Sequence, residues 1–237
     1  MTAPVVDDVP PWNGFKRVAF RIAFAYFVLY HIDETYLGLL GPIFRVLNAP
    51  MGPRAVYRRA WDPIARWIAI HLFSADASLL ATMNSNTDSG IHYARVGSFL
   101  VAAIVIGAVW SALARRRDYV ALDRWLSDFL RFALALSLFP YAVSKVFPVQ
   151  MLPGHLFTTY LLQPLGDKSP AGLLWAFVGY SVPYQMFAGF TELLASLLLL
   201  TRRTLAIGAL VALVATVNVA AFNLFYDVDI KLFSLNL

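Results

Sequence analysis

A set of polar residues spread over the apolar C-terminal half has the types and spacing to do chemistry. Lys145 sits in Leu138–Phe139–Pro140–Tyr141–Ala142–Val143–Ser144–Lys145–Val146–Phe147, and Glu192 in Gly189–Phe190–Thr191–Glu192–Leu193–Leu194. Asp227 and Lys231 bracket Val228–Asp229–Ile230. An ionisable group at membrane depth costs roughly 2.5–3.5 kcal/mol on insertion scales, so each must face a partner or a cavity. Ser137, Tyr141 and Lys145 recur at helical spacing; so do Ser181, Gln185, Gly189, Glu192 and Ser196, if that helix is continuous; so do Thr216, Ala220, Asn223 and Asp227. Three neighbouring helices with such stripes line a shared interior. The candidate ligand-binding or proton-relay residues are Tyr141, Lys145, Gln185, Glu192, Asn223, Asp227 and Lys231.

Three uses of this set stay open. A carboxyl at Glu192, in apolar surroundings, suits proton uptake and release. Tyr141 and Lys145 at a hydrophobic mouth suit the oxygen of a quinone-like headgroup, with apolar walls for its tail. Plain ion pairing, Lys145 with Asp227 or Glu192 and Lys231 with Asp229 or a headgroup, would stitch helices together. Distance from Arg202 places Glu192 deeper than Lys145, Asp227 and Lys231, which makes the expected interior charged at an outer mouth and apolar below.

The elements that position these residues are membrane helices. Of 237 residues 59% are hydrophobic and 14% charged, with mean hydropathy +0.65. Soluble domains carry about 25% charged residues. The fold class is therefore an all-α polytopic membrane protein, a transmembrane helix bundle. The net charge of +5 comes from basic residues at helix ends and in one loop, without a basic stripe interleaved with stacking aromatics, so a nucleic-acid partner is not expected. The chain has no cysteine, which excludes a cysteine-ligated cluster, a thiolate metal site and covalently attached haem. His31, His71, His92 and His155 have no metal spacing, so haem is not expected and no metal site is assigned. Nucleotide, zinc-protease and hydrolase motifs are lacking.

Along the chain, residues 1–15 read as a proline-bearing mobile tail and 16–127 as a two-helix membrane region with a long outer loop. A first span over Val18–Leu40 puts Tyr26, Tyr30, Asp33 and Glu34 on one inward face; alternatively Arg21 snorkels to one interface and the acids reach the other. Within residues 41–96, Trp61, Ile64, Ala65, Ile68 and Leu72 form the apolar face of an interfacial helix, with Arg58, Arg59, Asp62 and Arg66 opposite. A loop covers Thr82–Gly90. The second span, Val96–Leu113, ends at Arg115–Arg116–Arg117, a cytoplasmic signal. An amphipathic helix over Asp118–Arg131 lies along that face, followed by a third span over Phe129–Val146 with a kink at Pro140. A long helix runs from Leu173 or Tyr184 to Leu200, the fifth span is Leu205–Phe225, and a sixth starts at Ile230. That last helix is too short to cross within the chain, which suggests a truncated helix and a longer natural protein. The tryptophans fall near helix ends, as an interfacial belt requires.

The run Phe139–Pro140–Tyr141–Ala142–Val143–Ser144–Lys145–Val146–Phe147, the run around Glu192, and Asn223–Leu224–Phe225–Tyr226–Asp227–Val228–Asp229–Ile230–Lys231–Leu232 resemble the DoxX family of bacterial membrane proteins, in its longer members. The resemblance covers residues 128–237 best. It implies a four-helix module, here with two extra N-terminal helices and an incomplete last helix, in the bacterial inner (cytoplasmic) membrane; the basic flanks, Arg115–Arg116–Arg117 and Arg202–Arg203 among them, place the N-terminus in the cytoplasm. Members include a subunit of a thiosulfate:quinone oxidoreductase, so it also implies an integral membrane subunit of an oxidoreductase system, with a quinone-like molecule or a redox partner protein. Asp229 stands where longer members are expected to carry proline. A proton-coupled small-molecule carrier and a non-catalytic membrane scaffold are the alternatives.

Overall fold

The structure, a computed structural model, describes residues 12–47, 51–76, 80, 88–114, 118–151 and 162–237. The described residues contain helices and turns, with no strand. In chain order the α-helices are α1 (Gly14–His31), α2 (Gly38–Val46), α3 (Pro53–Phe73), α4 (Gly90–Leu113), α5 (Val120–Val146), α6 (Pro170–Tyr180), α7 (Val182–Leu199), α8 (Leu205–Phe225) and the short α9 (Lys231–Leu235). A π-helical segment, Ile32–Leu37, joins α1 to α2 without a break. The chain is an all-α membrane helix bundle.

Four helices, α4, α5, α7 and α8, are long and apolar enough to cross a membrane. Apolar side chains cover even their outward faces: Ile207, Leu210, Leu213, Val214 and Val217 of α8 are all at least half exposed. Such a surface is stable only against acyl chains, and a helix is the local structure that satisfies its own backbone there. Hydroxyls on these helices bond to their own turns, Ser111 to the Gly107 carbonyl and Thr216 to the Ala212 carbonyl.

Packing divides along the sequence. α1 and α3 pack on α4, and α5 packs on α7, which in turn packs on α8. The α5–α7 contact is close because position 189 has no side chain. A Cβ built on Gly189 would lie 2.7 Å from the Val146 nitrogen, 2.8 Å from the Lys145 Cβ and 2.9 Å from the Ala142 oxygen. Ser196 adds a bond from its hydroxyl to the Ala135 carbonyl, 2.8 Å. The halves meet where the π-helical segment touches α5: Tyr36 Oη donates to the Phe129 carbonyl (2.8 Å) and Thr35 Oγ1 bonds Ser137 Oγ (3.1 Å).

Several boundaries differ from those expected. The amphipathic stretch 118–131 and the third span form one helix, α5, which continues through Pro140; apolar and amphipathic stretches in helical phase leave no reason to break. The long fourth helix is interrupted at Ser181, whose extended backbone (φ −109°, ψ 96°) ends α6 and whose side chain caps Tyr184 N of α7. Ser181 is therefore a cap and not a member of the α7 stripe. Pro183, in the first turn of α7, fits that restart. Arg21 does not snorkel. It is buried, and its guanidinium donates to Tyr119 Oη and Ser111 Oγ. Arg58 and Asp62 turn inward from α3, while Ile64 and Leu72 are about half exposed. Trp12 and Trp61 are packed inside, Trp61 donating to Ser98 Oγ, so the tryptophans are not all interfacial. The arginine triplet, His155, residues 82–87 and most of the tail lie outside the described residues.

Candidate functional site

The central contact is an ion pair between α5 and α7. Lys145 Nζ donates to both carboxylate oxygens of Glu192, at 2.5 and 2.7 Å. Both residues are buried, at 7% and 4% exposure. The two therefore lie at one level, and the expected gradient with Glu192 well below Lys145 is not found. Van der Waals contact at Gly189, one turn before Glu192, lets α5 come near enough for a Lys side chain to reach. Of the three N–H donors of an ammonium, two are used by the carboxylate, leaving one.

The pair stands in the wall of a cavity of about 100 Å³ between α5, α6, α7, α8 and α9. Leu138, Leu174, Val178, Ala188, Val219 and Phe222 give it an apolar surface. Tyr141 and Asn223 also face it. Asn223 is buried and its amide nitrogen, Nδ2, has no hydrogen-bond partner. A buried donor without an acceptor costs about 1–3 kcal/mol, so it marks a place where an acceptor belongs.

The other expected site residues take different roles. Gln185 is fully buried, and with its amide nitrogen oriented toward the Met151 carbonyl it donates there (3.0 Å) and accepts from Met151 N (3.1 Å). It pins the chain after α5 in place of facing a ligand. Asp227 has left the α8 stripe: the helix ends at Phe225, and Asp227 adopts φ 53° and is largely exposed. It pairs with Lys231 Nζ at 2.7 Å, and that hydrogen bond holds the Lys231 ammonium above its ordinary pKa. Asp88 caps the same turn, accepting from Lys231 N (2.9 Å) and Leu232 N (3.3 Å). Neither Asp227 nor Lys231 lines the cavity.

A second polar cluster was legible in part. Asp33 and Glu34 do share an inward face with Tyr30. They are met by two arginines from α3: Arg58 donates to Asp33 (2.9 Å) and Glu34 (2.6 Å), and Arg54 to both acids. Arg95 of α4 pairs with Asp62 at 2.7 Å. Tyr57, beside this cluster, has its phenol pushed up to about 12 by burial. The π-helical turn at Ile32–Leu37 brings both carboxylates to the α3 side. Such single-turn insertions leave no sequence signature, so the pairing with α3 could not be read beforehand.

Comparison with known proteins adds one relative. The chain is 35% identical over 101 residues, 43% of its length, to Uncharacterized protein YwoB of Bacillus subtilis (strain 168), and the match spans 62% of that protein. No family model matches the chain. No solved structure matches it.

Proposed function

We propose that the protein is a membrane subunit of a DoxX-like oxidoreductase system of the bacterial inner membrane, N-terminus cytoplasmic, and that it holds a quinone-like headgroup in the cavity beside Lys145 and Glu192. The observation that carries this is the orphaned Nδ2 of Asn223 in an apolar wall. A quinone carbonyl is the acceptor that such a donor lacks. The fit is also one of size, since about 100 Å³ suits a single ring and its tail must lie outside the cavity.

When bound, a quinone supplies two-electron redox chemistry, with the electrons coming from a redox partner protein. The chain's own residues bind and orient it. Asn223 Nδ2 donates to one carbonyl oxygen, and the remaining Lys145 N–H stands at the same wall. Glu192 keeps the ammonium neutralised in a place where a lone charge is costly. Leu138, Leu174 and Val219 exclude water, which strengthens these bonds. Glu192 is not a lone coupling carboxyl, which counts against the carrier reading; the unpaired Asn223 amide counts against a pure scaffold.

The test uses Trp175, which lines the cavity. A short-chain benzoquinone should quench part of the tryptophan fluorescence saturably in purified protein. Val219→Phe, which fills the cavity, should abolish that saturable part. Quenching that rises linearly with quinone in both proteins would contradict the reading.

A further inference from the structure

A second cavity, of about 480 Å³, lies where the N-terminal helices meet α5. Its wall is apolar over most of its area but carries polar side chains on two sides. Glu34, Thr35 and Arg54 face it from one side, and Ser137, Tyr141 and Ser144 from α5. Ser137, Tyr141 and Ser144 share one face of that helix over two turns. From the end of α5 at Val146 back to Ser137 the helix falls by roughly 14 Å at 1.5 Å per residue. That is about half of a hydrocarbon core of ~30 Å.

Two prolines add acceptors to this wall. Pro42 and Pro140 both line the cavity, and so do Gly38 and Leu136, the residues four positions before them. Proline has no N–H, so the Gly38 and Leu136 carbonyls lose the donor that a regular α-helix supplies. Polar groups freed from a helix at membrane depth are tolerated where they line water. The cavity ends on a chain of hydrogen bonds, Ser137 Oγ to Thr35 Oγ1 (3.1 Å) and on to His31 Nδ1 (3.2 Å). Its upper part carries Arg54, whose side chain is 31% exposed. Tyr141, Gln150 and Phe233 belong to both cavities, and the Tyr141 ring leans on Phe233 with centroids 5.7 Å apart.

We infer that this second cavity is an aqueous half-channel, bringing water and protons from one side of the membrane to the middle of the bundle. Its floor is Ser137 and Thr35, with His31 hydrogen-bonded to Thr35 behind that floor, and Tyr141 separates it from the Lys145–Glu192 cavity. The inference does not rest on the quinone reading, because it is argued only from the polar groups on this wall.

The chain has no cysteine, so a single introduced thiol is its only one. Ser144→Cys, Ser137→Cys and the lipid-facing Leu213→Cys are placed one at a time in the full chain in sealed vesicles. Each is exposed to silver ion from one side, and the unreacted thiol is counted with a maleimide after denaturation. The thiolate is the reactive form and needs water, so Ser144→Cys and Ser137→Cys should react at least about tenfold faster than Leu213→Cys from one side of the membrane. If Ser137→Cys is unstable, Thr35→Cys probes the same depth from the opposite wall. A floor thiol as inert as Leu213→Cys, with Ser144→Cys reactive, would reduce the cavity to a surface cleft and overturn the half-channel. Labelling in protein that binds no quinone would support it, since the two readings then separate.

Discussion

Lys145 and Glu192 neutralise each other inside the bundle, so the cost of removing either depends on whether the other stays. Lys145→Met or Glu192→Leu alone should destabilise by about 3–5 kcal/mol, since one buried charge is left bare. The double variant should recover most of that loss, as measured by reversible unfolding in bicelles. Equal and additive losses in the cycle would mean that the two side chains contribute separately. Asn223 should behave in the opposite sense. Asn223→Leu removes an unpaired buried donor, so stability should hold or rise by about 1 kcal/mol while quinone binding is lost. The sequence exposed Lys145, Glu192 and Asn223 because charged and amide groups are rare in apolar runs. It gave no sign that Gln185 is spent on the Met151 backbone, because an amide's partner on a turn is set by tertiary contact.

At the scale of elements, the α5–α7 crossing decides whether the pair can form. Gly189→Ala places a methyl against the backbone of α5, which should cost about 1–3 kcal/mol as overpacking. It should also weaken quinone binding at the proposed site. Gly41→Ala is the control, since nothing lies within 4 Å of a Cβ there, and helix propensity should make it neutral or stabilising by roughly 0.5–1 kcal/mol. Thermal melts of the two variants in one detergent check the contrast. Helix α8 was legible to the residue from hydropathy, because nothing in Leu205–Phe225 competes with its apolar run. The inward turn of Arg58 and Asp62 was not, because a helical wheel sorts by polarity and cannot see Asp33 or Arg95 waiting on other helices. The break at Ser181 was visible only as a choice of start between Leu173 and Tyr184, for serine caps a helix and also tolerates its interior.

For the whole molecule, the apolar outer surface and the polar interior are two sides of one solvent argument. Leu213, exposed on α8, should tolerate any apolar residue, whereas Leu213→Arg should impair insertion by about 2.5–3.5 kcal/mol, read as the fraction inserted in a translocation assay. Composition alone announced this class. How the halves dock was beyond it, because Thr35–Ser137 and Tyr36–Phe129 join residues roughly a hundred positions apart through hydroxyls that carry no pattern. The bundle thus presents lipid with an apolar exterior and holds two cavities that share Tyr141, one walled by the Lys145–Glu192 pair and one by Glu34, Arg54 and the α5 hydroxyls. The most direct measurement is mass spectrometry of small molecules extracted from protein purified in mild detergent, beside an empty-membrane control. The account predicts quinone near one per chain in the native protein and none in folded Asn223→Leu. Only bulk lipid in the native protein, or equal quinone in both proteins, would contradict it.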